Sequence, residues 1–218
     1  PGGDELWLGN LPAILVPGFR RRLNLFGPSG SPTPSENIKA VDVLSTALGT
    51  PVYGPLLDFL TDPNEPDRYH AYQLPPNGNP ICDITQMNPR PDLFYFVYDW
   101  RQELSSTGQK LKTFVSQCVQ QYHPGREINV LTHSMGSLLA RRYILDNPTD
   151  HSVDRLVTIG APWLGAPKLL YAMESGEFIR VHEIGIAAGP DIKYIMPSLP
   201  AAHQLLPSLA YQNLGAAP

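Results

Sequence analysis

A strand, a sharp turn and a helix around Ser134 form the pattern that most constrains how this chain folds. The apolar residues 128–131 precede Thr-His-Ser-Met-Gly at 132–136, and an amphipathic stretch follows at 137–145. A serine in such a turn is typical of a nucleophile elbow, which presents its hydroxyl at the carboxyl edge of a sheet. An ordinary strand-to-helix turn is the alternative interpretation.

Small residues normally flank the serine of such a turn, because the strand and the helix approach each other closely. Gly136 meets this requirement on the helix side, but Thr132 replaces the usual glycine on the strand side. We expect Thr132 to strain or widen the turn. Neighbouring residues on a strand point to opposite faces, so we interpret His133 as a structural histidine and not as the base for Ser134.

Alternating apolar and amphipathic stretches predict an α/β fold, with a mostly parallel sheet and helices on both faces. The periodicity predicts strands at 13–16, 93–98, 127–132 and 153–159, and helices at 35–48, 56–60, 107–122, 135–146 and 167–175. A loop-rich insertion is expected near 50–92, where proline is frequent. We therefore expect a core domain over 1–175 and a separate segment over 176–218, where the pattern breaks up.

Charge and cysteine content exclude some functions. The net charge of −4 argues against a nucleic-acid partner. The basic run 20–22 is either a solvated loop or a contact for an anionic headgroup or surface.

The histidines and cysteines show no metal-ligand spacing, so no metal or organic cofactor is expected. Cys118 lies at helical spacing with apolar residues and should face the core, whereas Cys82 lies in a loop; a bond between them stays open.

Two backbone N–H groups are candidates for stabilising an oxyanion beside Ser134. One belongs to Met135, the residue after the nucleophile. The other belongs to Phe19, which follows an apolar run and the turn Pro17-Gly18. A plain turn is the alternative interpretation of that segment. Each donor would contribute roughly 3 kcal/mol to the transition state of acyl transfer.

Four segments in this order resemble the lecithin:cholesterol acyltransferase family, which has the α/β-hydrolase fold. They are Ile-Leu-Val-Pro-Gly at 14–18, Tyr-Asp-Trp-Arg at 98–101, His-Ser-Met-Gly at 133–136 and Gly-Ala-Pro-Trp-Leu-Gly-Ala-Pro-Lys at 160–168. The second and fourth segments are the specific ones. The resemblance implies that Ser134 is the nucleophile and that Met135 and Phe19 supply the oxyanion hole.

The residues of the two specific segments have several interpretations. Asp99 and Arg101 precede the elbow, so we interpret them as an ion pair that braces loops at a strand end. Trp100 and Trp163 either line an acyl pocket or pack as aromatic core residues.

The acid and the base that Ser134 needs are hard to find in this chain. The expected order is serine, then a carboxylate, then histidine. Asp191 and His203 have that order, but neither follows a convincing strand. The resemblance implies that residues 175–207 are a lid and that the family's acid and base come after it. We therefore expect the chain to be an incomplete, N-terminal portion of the fold, with a second polypeptide carrying the rest.

These observations favour serine-dependent acyl transfer or hydrolysis on lipid esters, such as phospholipids, through an acyl-enzyme. Contact with a membrane or lipoprotein surface and a secreted or extracytoplasmic location are further expectations from the resemblance. Two alternatives stay open: a non-catalytic lipid-binding or interaction protein with a hydrolase fold, and an esterase that acts on a soluble, non-lipid ester.

Overall fold

The structure is a computed structural model that describes residues 38–47, 50–75, 82–176 and 193–214. Several sequence predictions concern residues outside these ranges: the strand at 13–16, Phe19, the basic run 20–22 and Asp191. Within the described residues, no helix is both long enough and apolar enough to span a membrane.

Short strands and helices follow one another along the chain. Strands β1 (Thr46–Ala47) and β2 (Thr50–Pro51) precede helix α1 (Gly54–Leu60). Helix α2 (Leu104–Phe114) continues through a π-helical turn (Val115–Val119) into α3 (Gln120–Tyr122). Strand β3 (Ile128–His133), helix α4 (Met135–Asp146), strand β4 (Val153–Ile159) and helix α5 (Pro167–Ser175) come next. A 3-10 turn (Met196–Ser198) and helices α6 (Pro200–Gln204) and α7 (Leu209–Leu214) complete the described part.

Strands β3 and β4 form a small parallel sheet, and helix α4 connects them. The register pairs Asn129 with Arg155 and ends with His133 opposite Ile159. Strands β1 and β2 pair separately as an antiparallel hairpin. The described residues are therefore a mixture of helices and strands. Their two-stranded parallel sheet contains β3, the strand that leads into the predicted elbow.

Three predictions of local structure match the bounds seen in the structure: α4, β4 and α5. The helix expected at 107–122 begins earlier, at Leu104, because Thr107 bonds back to the Glu103 carbonyl through its amide (3.1 Å) and its hydroxyl (2.8 Å). Among the described residues, the strand expected at 93–98 shows one bridge, between Leu93 and Ala71. Phe94 and Phe96 of this segment pack against the buried cluster that contains Phe114, Cys118 and Tyr122.

The helix expected at 35–48 is wrong for its described part. Residues 38–45 are neither helix nor strand, and β1 follows them. The Asp42 side chain accepts the amide of Val43 (2.7 Å), which offers the backbone an alternative to helical bonding. The Ser45 carbonyl then accepts amides of Val52 (2.9 Å) and Gly54 (3.1 Å) across the hairpin, so the chain turns back.

An aromatic core anchors the predicted insertion to the helices. Buried Tyr72 stacks on Phe94, with ring centres 5.7 Å apart, and meets Tyr122 edge-on at 5.9 Å. A disulfide joins Cys82 to fully buried Cys118, with their Cα atoms 5.3 Å apart. This bond answers the question that the sequence left open, and Cys118 faces the core as expected.

One face of the parallel sheet is open to solvent and apolar. Leu131, Val157 and Ile159 are 48%, 54% and 49% exposed. They lie at alternate positions on β3 and β4, and Leu131 and Val157 are register partners. Helix α4 packs against the same two strands. Parallel sheets are normally covered on both faces, whereas these three side chains are about half exposed.

Candidate functional site

Ser134 sits between β3 and α4 in a conformation that L-residues rarely adopt. Its backbone angles are φ 52° and ψ −128°. Its amide donates to the Ile159 carbonyl (2.8 Å), and its carbonyl accepts the Ser137 amide (3.0 Å). A conformation of this kind costs about 1–3 kcal/mol and persists only when the surroundings enforce it. The predicted sharp turn with a serine at its apex is therefore present.

The turn forms with Thr132 in place of the usual glycine. Its Oγ1 lies 3.0 Å from the Ser137 Oγ and donates to the Val157 carbonyl at 3.3 Å. A Cβ at Gly136 would lie 3.9 Å from the Thr132 Cβ and 3.8 Å from the Tyr98 hydroxyl, which are ordinary contacts. Close approach of the described residues therefore does not by itself demand a glycine on the helix side.

His133 faces away from Thr132 and contacts Tyr53. The Tyr53 hydroxyl lies 2.6 Å from the His133 Nδ1, and the rings meet edge-on. Burial raises the pKa of the Tyr53 phenol, and the His133 tautomer sets which of the two groups donates. This contact agrees with a structural histidine, as the sequence predicts.

Asp99 and Arg101 form the ion pair expected from the sequence. Arg101 is 1% exposed, and its Nε and Nη2 donate to the two carboxylate oxygens of Asp99 at 2.8 and 2.6 Å. Burial alone would raise the pKa of Asp99, but the hydrogen bonds and charge of Arg101 outweigh it and lower the pKa. The Arg101 carbonyl also accepts the Ala201 amide (3.4 Å), which ties α6 to this turn.

The model of the family described as lecithin:cholesterol acyltransferase matches residues 87–213, which is more than half of the chain. The chain belongs to the lecithin:cholesterol acyltransferase family. The matched region contains the Tyr-Asp-Trp-Arg turn, the elbow and the loop at 160–168. The resemblance stated from the sequence is therefore confirmed.

Two mammalian relatives show how far the similarity extends. A lysosomal phospholipase A and acyltransferase of Rattus norvegicus is 30% identical over 94 residues, which cover 40% of this chain and 22% of that protein. A phosphatidylcholine-sterol acyltransferase of Rattus norvegicus is 31% identical over 86 residues, covering 37% and 19%. The chain thus aligns with about a fifth of the length of these relatives.

One solved structure, the crystal structure of the Tle4-Tli4 complex, has a TM-score of 0.45 and 16% identity. The alignment covers 88% of this chain and 35% of that one. This similarity is too low to assign the fold of this lecithin:cholesterol acyltransferase family member.

The two predicted pocket tryptophans occupy different surroundings. Trp100 packs against the buried cluster formed by α5, the 3-10 turn and α6. Trp163 is 48% exposed and lines a cleft of about 450 Å³ together with Leu138 and Leu145 of α4. Ser134 is not among the residues that line this cleft. A role of either tryptophan in binding an acyl chain stays a prediction.

The weak candidates for base and acid do not meet Ser134 in the described residues. His203 is exposed on α6, and its Nε2 bonds to the Pro197 carbonyl (2.8 Å). Asp191 and the oxyanion donor Phe19 lie outside the described residues. Met135 is the first residue of α4, where helix amides have no partner within the helix, and its role as an oxyanion donor stays a prediction.

Sequence reasoning missed two residues that surround the elbow. Tyr53 meets His133 from 80 positions earlier, and nothing in the local sequence signals that contact. Ser137 is fully buried and bonds to Thr132. A polar residue in the first turn of a helix that faces a sheet is the signal that could have singled out Ser137.

Proposed function

We propose that this chain carries the nucleophile of an enzyme that transfers or hydrolyses acyl groups of lipid esters, and that Ser134 is that nucleophile. The observation that carries the proposal is the strained backbone of Ser134 at the junction of a parallel strand and a helix. Strained non-glycine residues cluster at active sites, where the surrounding structure stabilises them. The names of the rat relatives support acyl transfer and phospholipid hydrolysis as the reaction class.

The proposed reaction has two halves. The Ser134 Oγ attacks the ester carbonyl carbon, its proton passes to a histidine base, and the resulting oxyanion accepts the N–H groups of Met135 and Phe19. The tetrahedral intermediate collapses, and the leaving alcohol takes the proton from the base. Water or a second alcohol then attacks the acyl-enzyme, which releases a fatty acid or a new ester and restores the Ser134 hydroxyl.

We propose that the acid and base of this reaction lie outside residues 1–218. The imidazole of His203 bonds to Pro197, on its own segment. A second polypeptide or a longer form of this one would supply the missing pair. N-terminal sequencing and intact-mass measurement of every polypeptide in an active preparation test this. Full activity from residues 1–218 alone would contradict it.

We also propose an α/β-hydrolase fold with a core over 1–175 and a lid over 176–218. The parallel pairing of β3 with β4 and the connecting α4 support the core. The open apolar face of the sheet supports further covering structure. Two bonds of α6 support a docked segment after α5: the Ala201 amide donates to the Arg101 carbonyl, and the Gln204 side-chain oxygen accepts the Leu104 amide.

The disulfide supports a location outside the reducing cytoplasm. Bonds such as Cys82–Cys118 persist in oxidising compartments. We therefore propose a secreted or otherwise extracytoplasmic protein, whose substrate lies at a membrane or lipoprotein surface.

A fluorophosphonate probe tests the nucleophile directly. We expect the natural polypeptide to be labelled at Ser134, as mapped by peptide mass spectrometry, and Ser134→Ala to lose the label. Ser106→Ala, an exposed serine on α2, is the matched control and should label normally. No labelling of the wild-type protein would favour a non-catalytic lipid binder.

The substrate class needs a second measurement. We expect hydrolysis of phospholipid in vesicles to exceed hydrolysis of a short, soluble ester at equal concentration, and both to disappear in Ser134→Ala. A preference for the soluble ester would point to an esterase without a lipid substrate.

A further inference from the structure

The nucleophile turn of this chain contains a hydroxyl pair that spans Ser134. Thr132 precedes Ser134 by two residues at the end of β3, and Ser137 follows it by three in α4. Their side-chain oxygens lie 3.0 Å apart. Ser134 therefore lies in a short closed ring, bounded by backbone on one side and by this side-chain bond on the other.

The direction of the bond follows from the acceptors available. The Val157 carbonyl is only an acceptor, so Thr132 Oγ1 donates to it at 3.3 Å. Ser137 Oγ then donates to Thr132 Oγ1. This chain of bonds joins the first turn of α4, the end of β3 and the neighbouring strand β4.

The Ser137 hydroxyl has no access to water. Ser137 is 0% exposed, and a buried hydroxyl that loses its partner costs about 1–3 kcal/mol. Even a Cβ added at Gly136 would lie 3.9 Å from the Thr132 Cβ, an ordinary contact, so the strand and helix leave room for the threonine. The threonine therefore occupies the place of the usual glycine and adds a bond that glycine cannot make.

We propose that the Thr132–Ser137 hydroxyl pair is a positioning element that holds Ser134 in its strained conformation for attack on the ester. This inference rests on the proposed role of Ser134. Neither hydroxyl is assigned a chemical step. The pair stabilises the turn through a side-chain bond. The backbone bonds of Ser134 to Ile159 and Ser137 stabilise the same turn through main-chain atoms.

The test is the rate of fluorophosphonate inactivation in the natural polypeptide, separated into probe affinity and maximal rate. Thr132→Val keeps the shape of the side chain and removes the hydroxyl, and Ser137→Ala removes the other partner. We expect the maximal rate to fall ~10- to 100-fold in each with little change in affinity, since small displacements of a nucleophile have effects of this size. Thr132→Ser should restore the rate to within about threefold, because it restores the bond.

A control and a double variant complete the test. Thr158 is the register partner of Thr132 on β4, so Thr158→Val removes a hydroxyl from the same layer and should leave the rate unchanged. The double variant Thr132→Val with Ser137→Ala should be no slower than the worse single variant. The proposal would be overturned if the Thr132→Val and Ser137→Ala proteins melted at a lower temperature but were inactivated by the probe at the wild-type maximal rate. A wild-type protein that is not labelled would instead overturn the role of Ser134 itself.

Discussion

Ser134 occupies backbone angles that glycine accepts and other residues avoid. Its φ of 52° and ψ of −128° place its own Cβ close to neighbouring backbone atoms. The parallel register of β3 with β4 enforces this conformation, because the Ser134 amide continues the ladder to Ile159. The side chain at this position is therefore kept at a cost in stability.

Replacing Ser134 with glycine should give a more stable protein than replacing it with alanine. We expect a difference of ~1 kcal/mol in the free energy of unfolding by urea, because only glycine relieves the strain. At Ser106, in the regular helix α2, the order should reverse by about 1 kcal/mol. Alanine more stable than glycine at both positions would rule out strain at Ser134.

Asp99→Asn should destabilise the protein at pH 7 and matter less in acid. Arg101 is buried, so losing its anionic partner should cost about 3 kcal/mol. The pKa of Asp99 is lowered in the folded state. Its contribution is therefore complete above its unfolded pKa and is lost as the pH falls through its folded pKa. The wild-type advantage in urea unfolding should thus shrink below about pH 4.

The exposed pair of Arg142 with Asp146 on α4 provides the control for Asp99. Asp146→Asn should cost about 0.5 kcal/mol or less at pH 7, because solvent screens exposed ion pairs. Equal effects of the two substitutions would contradict the bracing role of Asp99.

At the scale of elements, the loop after β4 is bonded to the segment after α6. The Ala166 amide donates to the Leu205 carbonyl (2.8 Å), and the Ser208 amide donates to the Leu164 carbonyl (2.9 Å). Gly165 lies between these bonds at φ 96°, and a Cβ there would overlap the Leu206 carbonyl. Only glycine lets the two segments meet at this distance.

Gly165→Ala should therefore release the segment 193–214 from the loop. We expect a loss of at least ~2 kcal/mol in unfolding free energy and faster proteolytic cleavage within that segment, because backbone strain adds to a clash with backbone atoms. Gly125→Ala is the matched control: φ is 68°, but nothing lies within 4 Å of its added Cβ. Gly125→Ala should cost only about 1 kcal/mol and leave cleavage unchanged.

Local patterns account for some elements and fail for others. Helix α4 and strand β4 have one face packed and a clear period, so their bounds follow from sequence. The described part of the predicted helix 35–48 also has spaced apolar residues. It forms no helix there, because the Ser45 carbonyl accepts bonds from the other side of the hairpin. Periodicity reports which residues can share a face, and it does not reveal which partner that face meets.

At the scale of the whole molecule, Leu131, Val157 and Ile159 form an open apolar face on the two strands beside the elbow. In the natural polypeptide, Val157→Glu should cost at least ~2 kcal/mol, since a covered carboxylate loses its hydration. In residues 1–218 alone, the same substitution should be nearly neutral by thermal unfolding, because Val157 is 54% exposed.

Leu156→Glu is the control on the other side of strand β4, where the side chain is partly buried, and it should destabilise both forms. If Val157→Glu lowered the stability of the natural polypeptide no more than that of residues 1–218 alone, this would contradict a covered second face of the sheet.

The sequence by itself determined the serine turn, the strand and helices next to it, and the family resemblance, because each depends on residues close together along the chain. Only the tertiary structure decided the conformation of Ser134, the Cys82–Cys118 bond across 36 positions and the Tyr53–His133 contact across 80. These features arise where distant segments meet, and the register of packed strands and helices sets which atoms are neighbours there. The Thr132–Ser137 pair belongs to both levels: its residues are near in sequence, but the strained turn between them brings their hydroxyls together.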